Sequence, residues 1–252
     1  MIRINKSPIP PHILIEKKDL WTRELLDNIS RFNGFSAIPK EIKDRMWKNY
    51  RDSAIKEALF QASFNKCAFC ESKPGESGNI EIEHFRPKSL YPKLAFAWEN
   101  LLPVCRKCNE SKRSWDTGKE PIINPAEEDP EVRLTYNHLE IEPIDPQDIV
   151  AKRTIEVCNL NSLRLCTARA QLLISLTTYK QCVEETLKDI DSTENERKRI
   201  NRINKLQDSV MAIDNLLQNS AKYAGYTRHF LNHCEPYQKA ITIIQEFRDK
   251  EE

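Results

Sequence analysis

The chain has 252 residues, 39% hydrophobic and 31% charged, with a formal net charge of +1, enough for one large domain or two smaller ones. A mean hydropathy of -0.63 and the lack of any apolar run of bilayer length leave no candidate membrane-spanning helix. The near-neutral charge means that nucleic-acid binding needs a local basic patch. With only 5 glycines and no G-x-x-x-x-G-K-[ST], the chain has no Walker A loop of its own.

The opening MIRINKSPIPPHILIEKK (1–18) is Pro-interrupted and reads as extended. It lacks the apolar core and small-residue end of a signal peptide, so a cytoplasmic location is expected. Trp21 to Phe32 and Pro39 to Ser63 carry apolar residues at helical spacing, among them Leu25, Leu26 and Ile29. Residues 64–125 change character, with four cysteines, short strands and turns. NPAEEDP (124–130) is a loop, and VRLTYNHLEIEPI (132–144) predicts a small hairpin turning at Asn137–His138. From Asp145 the pattern is helical: one short helix, then a long one from a Ser162 cap to Ile190. The turn DSTE (191–194) caps the next, which ends near Leu217. Two stripes joined by a short turn predict a helical hairpin, with shorter helices near 221–234 and 236–250. Three regions follow: 1–63, 64–144 and 145–252, in an α+β fold with an all-helical C-terminal part.

Eight cysteines in a cytoplasmic chain are read for metal before disulfides. CAFC (Cys67, Cys70) and CRKC (Cys105, Cys108) are two C-x-x-C pairs whose four thiolates close a tetrahedral zinc site. The redox alternative lacks a βαβ context and leaves one pair surplus. Cys158, Cys166, Cys182 and Cys234 sit in apolar helical contexts and are expected to be ordinary buried thiols. A four-cysteine site is closed and performs no chemistry, but the long insertion between the pairs leaves room for a second site.

Three segments there and just beyond stand out: EIEHFRPKS (81–89), WENLLPVC (98–105) and CNESKRSW (108–115). Alone, Glu83–His84 is a surface pair, and Asn100 and Asn109 are turn and cap residues. Together, in this order, they resemble the HNH, or ββα-metal, nuclease family. Histidine is the side chain most easily held neutral and ready to accept a proton from water, which makes His84 the general base. The resemblance implies a zinc-stapled HNH core in which Asn100 holds the His84 imidazole. Glu83 and the Asn109 carbonyl then hold a catalytic Mg or Mn ion. Glu83 stands where Asp is commoner, so Glu81 is a substitute ligand. Arg86, Lys88, Lys107, Lys112 and Arg113 form a local basic patch for phosphates, of which Arg86, Lys88, Lys112 and Arg113 are the expected nucleic-acid contacts.

Beyond the motif, the opening residues, RTIEVCNLN and the helical tail are similar to the HNH subunits (PtuB) of Septu-type anti-phage systems. That resemblance implies an ABC/SMC-like, PtuA-like ATPase partner and, in some systems, a retron reverse transcriptase with its RNA/DNA. It also implies a nucleic-acid substrate, DNA ahead of RNA or tRNA. The competing class is an idle zinc module that binds nucleic acid or protein. Such a module has no need for Glu83, His84 and Asn109 together. The apolar set Ala240, Ile241, Ile243, Ile244 and Phe247 is expected to be shared between the hairpin and a docked partner.

Overall fold

The computed structural model describes residues 1–76 and 78–249. Two compact units emerge. One comprises Met1–Thr135 with Ile141–Asn161; the other comprises Tyr136–Glu140 and the chain from Ser162 onward.

In the first unit, helix α1 (His12–Arg31) starts earlier than Trp21. Extended chain is confined to the segment before Pro11, whose fixed φ suits a helix entry. The single helix expected over 39–63 is two, α2 (Lys40–Tyr50) and α3 (Ser53–Ala62). They break at Asp52, which leaves helical geometry so that its carboxylate can accept the Ala54 N–H at 2.9 Å. Leu14, Leu25, Met46, Ile55 and Leu59 from these helices share one core with Phe96, Trp98 and Leu101. The boundary expected at 63/64 therefore runs through a packed core and separates nothing.

The N-terminal segment is laced to that core. Ile4 N–H donates to the Pro125 carbonyl at 2.8 Å, and Trp98 Nε1–H to the Ser7 carbonyl at 2.9 Å. Lys6 donates to the carbonyls of Trp98 and Leu101 and lies 4.4 Å from the Trp98 ring centroid. Burial pulls its pKa down to about 8.

Strand β1 (Ile80–His84) pairs antiparallel with β2 (Leu101–Cys105), with Ile80 opposite Cys105 and His84 opposite Leu101. Helix α4 (Arg106–Lys112) follows β2 without a linker, completing a ββα unit. The hairpin expected over 132–144 forms as β3 (Leu134–Asn137) and β4 (Glu140–Pro143). Helix α5 (Ile149–Val157) starts at Asp148, which caps Ala151 N–H and takes a two-pronged bond from Arg133 at 2.6 and 2.7 Å. Since α5 belongs to the first unit, the C-terminal boundary falls after Asn161 rather than at 144/145.

The second unit is helical: α6 (Leu163–Asp191), α7 (Glu196–Asp214), α8 (Ala224–Asn232) and α9 (Glu235–Arg248). Ser162 occupies the N-cap of α6, but its hydroxyl makes no capping bond. The cap of α7 is Asn195, accepting Lys198 N–H at 3.0 Å, just beyond DSTE. Val183, Leu187 and Ile190 of α6 meet Ile203, Leu206, Val210 and Ile213 of α7, and α8 and α9 close over them. Ala240 and Ile244 are buried in this core, and Ile243 and Phe247 pack on it. The apolar set expected to be shared with a partner thus goes to the core apart from Ile241, which is exposed. The residue 250 expected to end that helix lies outside the described residues. Cys158 and Cys234 are buried as expected, whereas Cys182 is exposed and Cys166 half-buried. Among the described residues, no helix is long and apolar enough to cross a membrane.

Candidate active site and metal centre

The four cysteines of the two pairs converge. Cys67 and Cys70 lie in the turn after α3, Cys105 ends β2, and Cys108 sits in the first turn of α4. All four are buried, and their sulfurs lie within 4.8 Å of one another. The Cys70–Cys105 separation is 3.7 Å. Thiolates about 2.3 Å from a zinc ion stand about 3.8 Å apart along a tetrahedron edge, so the cage fits the ion. Cys70 N–H and Cys108 N–H reach back to the sulfurs of Cys67 and Cys105, each at 3.5 Å, and orient both pairs. The crowding splits the thiols. Bonds from Cys108, Cys67 and Cys70 hold Cys105 far below its ordinary range, while burial pushes Cys67 up. Among the described residues no other group of three or more Cys, His, Asp or Glu converges in this way.

Beside the cage, a cavity of about 690 Å³ opens along β1 and α4. Glu81, Glu83, His84 and Asn109 line it. His84, at the end of β1, is 2% exposed. Its Nε2 lies 2.9 Å from the Ala95 carbonyl oxygen. A carbonyl only accepts, so Nε2 carries the hydrogen and Nδ1 of the neutral ring keeps its lone pair. The Tyr50 ring meets the imidazole edge-on, with centroids 4.7 Å apart at 85°. Burial, seconded by the charge of Lys88, pulls the His84 pKa down to about 3. The ring is therefore neutral throughout the physiological range.

Two expected roles change. Asn100 makes no hydrogen bond to the imidazole. Its Oδ1 accepts Arg86 N–H at 2.7 Å, and its Nδ2 donates to the carbonyls of Arg86 and Leu94, both at 3.0 Å. With Phe85 N–H on the Asn100 carbonyl at 2.8 Å, these bonds cinch the 85–100 connection at its base. That connection also carries the Ala95 carbonyl, 2.9 Å from His84 Nε2. Lys112 is not a surface contact for phosphate. It is buried, with Nζ 2.7 Å from Glu83 Oε1 and 3.0 Å from the His84 carbonyl. A buried carboxylate needs a counter-charge, and Lys112 supplies it. Burial still raises the Glu83 pKa, opposed by Lys112.

Asn109 donates from Nδ2 to Glu81 Oε2 at 2.8 Å, which turns its amide oxygen to other partners. Glu81 and Glu83 share one face of β1, as residues two apart on a strand must. Of the expected phosphate contacts, Lys88 and Arg113 line the cavity. Arg86 is exposed and lies over the Tyr91 ring at 5.8 Å. Lys107 is paired with Glu110 at 3.3 Å. The fold adds residues with no local signal: Tyr50, Arg51 and Lys56, brought in by the α2–α3 corner. The cavity thus sets Arg51, Lys56, Lys88 and Arg113 against two glutamates, a basic rim that the net charge of +1 concealed.

Residues 67–114 match the HNH endonuclease family, a span that holds both cysteine pairs, β1, β2 and α4. The chain is 34% identical over 209 residues to Septu protein PtuB of Bacillus thuringiensis, covering 82% of this chain and 71% of that protein. It belongs to the PtuB family. Septu protein PtuB of Bacillus mycoides (strain KBAB4) is 28% identical over 207 residues, covering 66% of this chain and 70% of that protein. This PtuB-family chain is an HNH endonuclease of α+β fold, with a cysteine cage suited to structural zinc. The similarity to PtuB reaches well beyond the HNH span, as the cavity does through Tyr50, Arg51 and Lys56.

Proposed function

We propose that this PtuB-family endonuclease hydrolyses DNA phosphodiester bonds as the nuclease subunit of an anti-phage Septu complex. The observation that carries the reading is His84: a neutral imidazole, its tautomer set by Ala95, on a cavity with two glutamates and a basic rim. Nδ1 accepts the proton of the attacking water. Arg51, Lys56, Lys88 and Arg113 hold the flanking phosphates. The oxygens of Glu83 and Asn109, with Glu81 beside them, are a hard donor set suited to Mg or Mn. When bound, that ion supplies charge stabilisation to the phosphate and the leaving oxygen. Lys112 engages one oxygen of Glu83 and leaves the other for this task.

The lack of a Walker A loop fits an ABC/SMC-like, PtuA-like ATPase acting in trans, accompanied in some systems by a retron reverse transcriptase and its RNA/DNA. The helical unit, with Leu163, Ile174 and Met211 exposed, is the docking portion. The deciding experiment co-purifies the protein with its neighbour-encoded partners and assays plasmid DNA, single-stranded DNA and tRNA with Mg or Mn. DNA cleavage lost in His84→Ala is expected. Cleavage confined to RNA overturns the substrate assignment, and wild-type cleavage by His84→Ala overturns the role of His84. Retention of an ATPase by Ile174→Glu protein at the wild-type level counts against docking through that face.

A further inference from the structure

The helical unit contains a second cavity, of about 370 Å³, with no part in the chemistry above. Three of the five histidines converge on it: His138 from the hairpin tip, and His229 and His233 from the C-terminal half of α8 and its cap. Leu173, Thr177 and Lys180 of α6 form the facing wall, and Tyr226 and Phe230 supply further aromatic lining. Among the described lining residues there is no carboxylate. The nearest acid to Lys180 is Glu184, one helical turn on, at 3.6 Å in an exposed pair.

The rings form a continuous run. Tyr226 meets Tyr136 edge-on at 5.2 Å, Tyr136 meets His229 at 5.5 Å, and His229 meets His233 at 4.5 Å with 39° between planes. His233 Nδ1 lies 2.7 Å from the His229 carbonyl. A carbonyl only accepts, so His233 Nδ1 carries a hydrogen and donates it there. His138 has φ 51, the sign glycine usually takes at the first central position of a two-residue hairpin turn.

This chemistry selects a ligand. A metal ion does not fit, because the three imidazoles and Cys234 do not bring their ligand atoms within reach of one ion. An apolar floor, a shelf of rings and one lysine without lining acids suit a flat conjugated group that carries an anion. The volume lies at the small end of ligand sites and admits one such molecule, not a helix or a duplex. We propose that this cavity binds a single nucleotide unit, its base against the His229–His233 rings and its phosphate at Lys180. The nucleotide is either free or the end of a strand.

The test uses the full-length protein without added divalent ions. AMP, adenosine, inorganic phosphate and a 5′-phosphorylated dinucleotide are titrated by calorimetry and by the imidazole proton signals in NMR. AMP is expected to bind with Kd below about 1 mM and to shift the His229 and His233 signals, with adenosine and phosphate at least about fivefold weaker. Lys180→Ala and His233→Gln should each weaken AMP about tenfold while leaving zinc content, circular dichroism and nuclease activity unchanged. Binding of the dinucleotide as tightly as AMP assigns the site to a strand end; preference for AMP assigns it to a free nucleotide. AMP binding should persist in His84→Ala. The proposal is overturned if AMP does not bind at about 10 mM, if both variants bind it like wild type, or if His84→Ala abolishes binding.

Discussion

Among the described residues, the helical unit buries almost only apolar side chains, with Arg169 and Thr227 the polar exceptions. The nuclease unit buries Lys66, Glu71, Glu83, His84, Asn100 and Lys112 as well as five cysteines, four of them in the cage. An apolar core tolerates exchange of one hydrophobe for another of similar volume. A polar interior depends on specific partners, because losing one leaves the other buried and unsatisfied. The unit that performs chemistry is therefore the more fragile of the two, and its failures should be abrupt.

The largest effect expected is on the cysteine cage. Cys105→Ser should lose zinc and unfold the nuclease unit while the α6–α9 helices keep most of the far-ultraviolet signal. Structural zinc contributes on the order of 10 kcal/mol or more to small domains. A folded, zinc-loaded Cys105→Ser protein would break the comparison. Next comes His84→Ala, which should slow cleavage about 10²–10⁴-fold with zinc content unchanged.

Lys112→Met should destabilise the nuclease unit by about 3–5 kcal/mol, because it strands the Glu83 carboxylate. The double variant Lys112→Met with Glu83→Leu should recover most of that stability in urea melts and stay inactive. If the double variant is as unstable as the single one, the buried pair is not what Lys112 maintains. Leu206→Ala, in the core of the helical unit, should cost about 2–5 kcal/mol without lowering zinc content.

The smallest effect is a pH slope. The folded pKa of His84, about 3, lies below its ordinary 6.5, so between those values the unfolded chain binds the extra proton. Stability then rises with pH across this window and is lost on acidification. The loss attributable to His84 is about 2 kcal/mol between pH 6.5 and 5. It should appear as the difference between wild-type and His84→Ala melts over that range.

The same contrast explains what could be read in advance. The α6 and α7 stripes and the two C-x-x-C pairs are local patterns with fixed spacing, and both were legible. Glu83, His84, Asn100 and Asn109 were legible as an ordered set, but their bonds were not. Asn100 could be placed near His84; that it grips Arg86 and Leu94 instead depends on the path of the 85–100 connection. Lys112 carried an unused signal. It lies three residues after Asn109 on α4, and residues so spaced share a helix face, so an Asn109 facing β1 brings Lys112 to the same side. Tyr50, Arg51 and Lys56 had no signal, because only the break at Asp52 swings them to the cavity.

Cys105 is at once the last residue of β2, the N-cap of α4 and a member of the sulfur cage. Strand register, helix start and cage position are therefore one setting. A single residue inserted within β2 would turn the strand residues beyond it to the opposite face, and one inserted between Cys105 and Asn109 would rotate Asn109 and Lys112 away from β1. The chain between Arg86 and Leu94 is cinched at its base by Asn100 and tied farther along by Tyr91, whose hydroxyl donates to Asp116 at 2.6 Å. Across relatives, insertions and deletions are expected to spare the nine residues from Leu101 to Asn109.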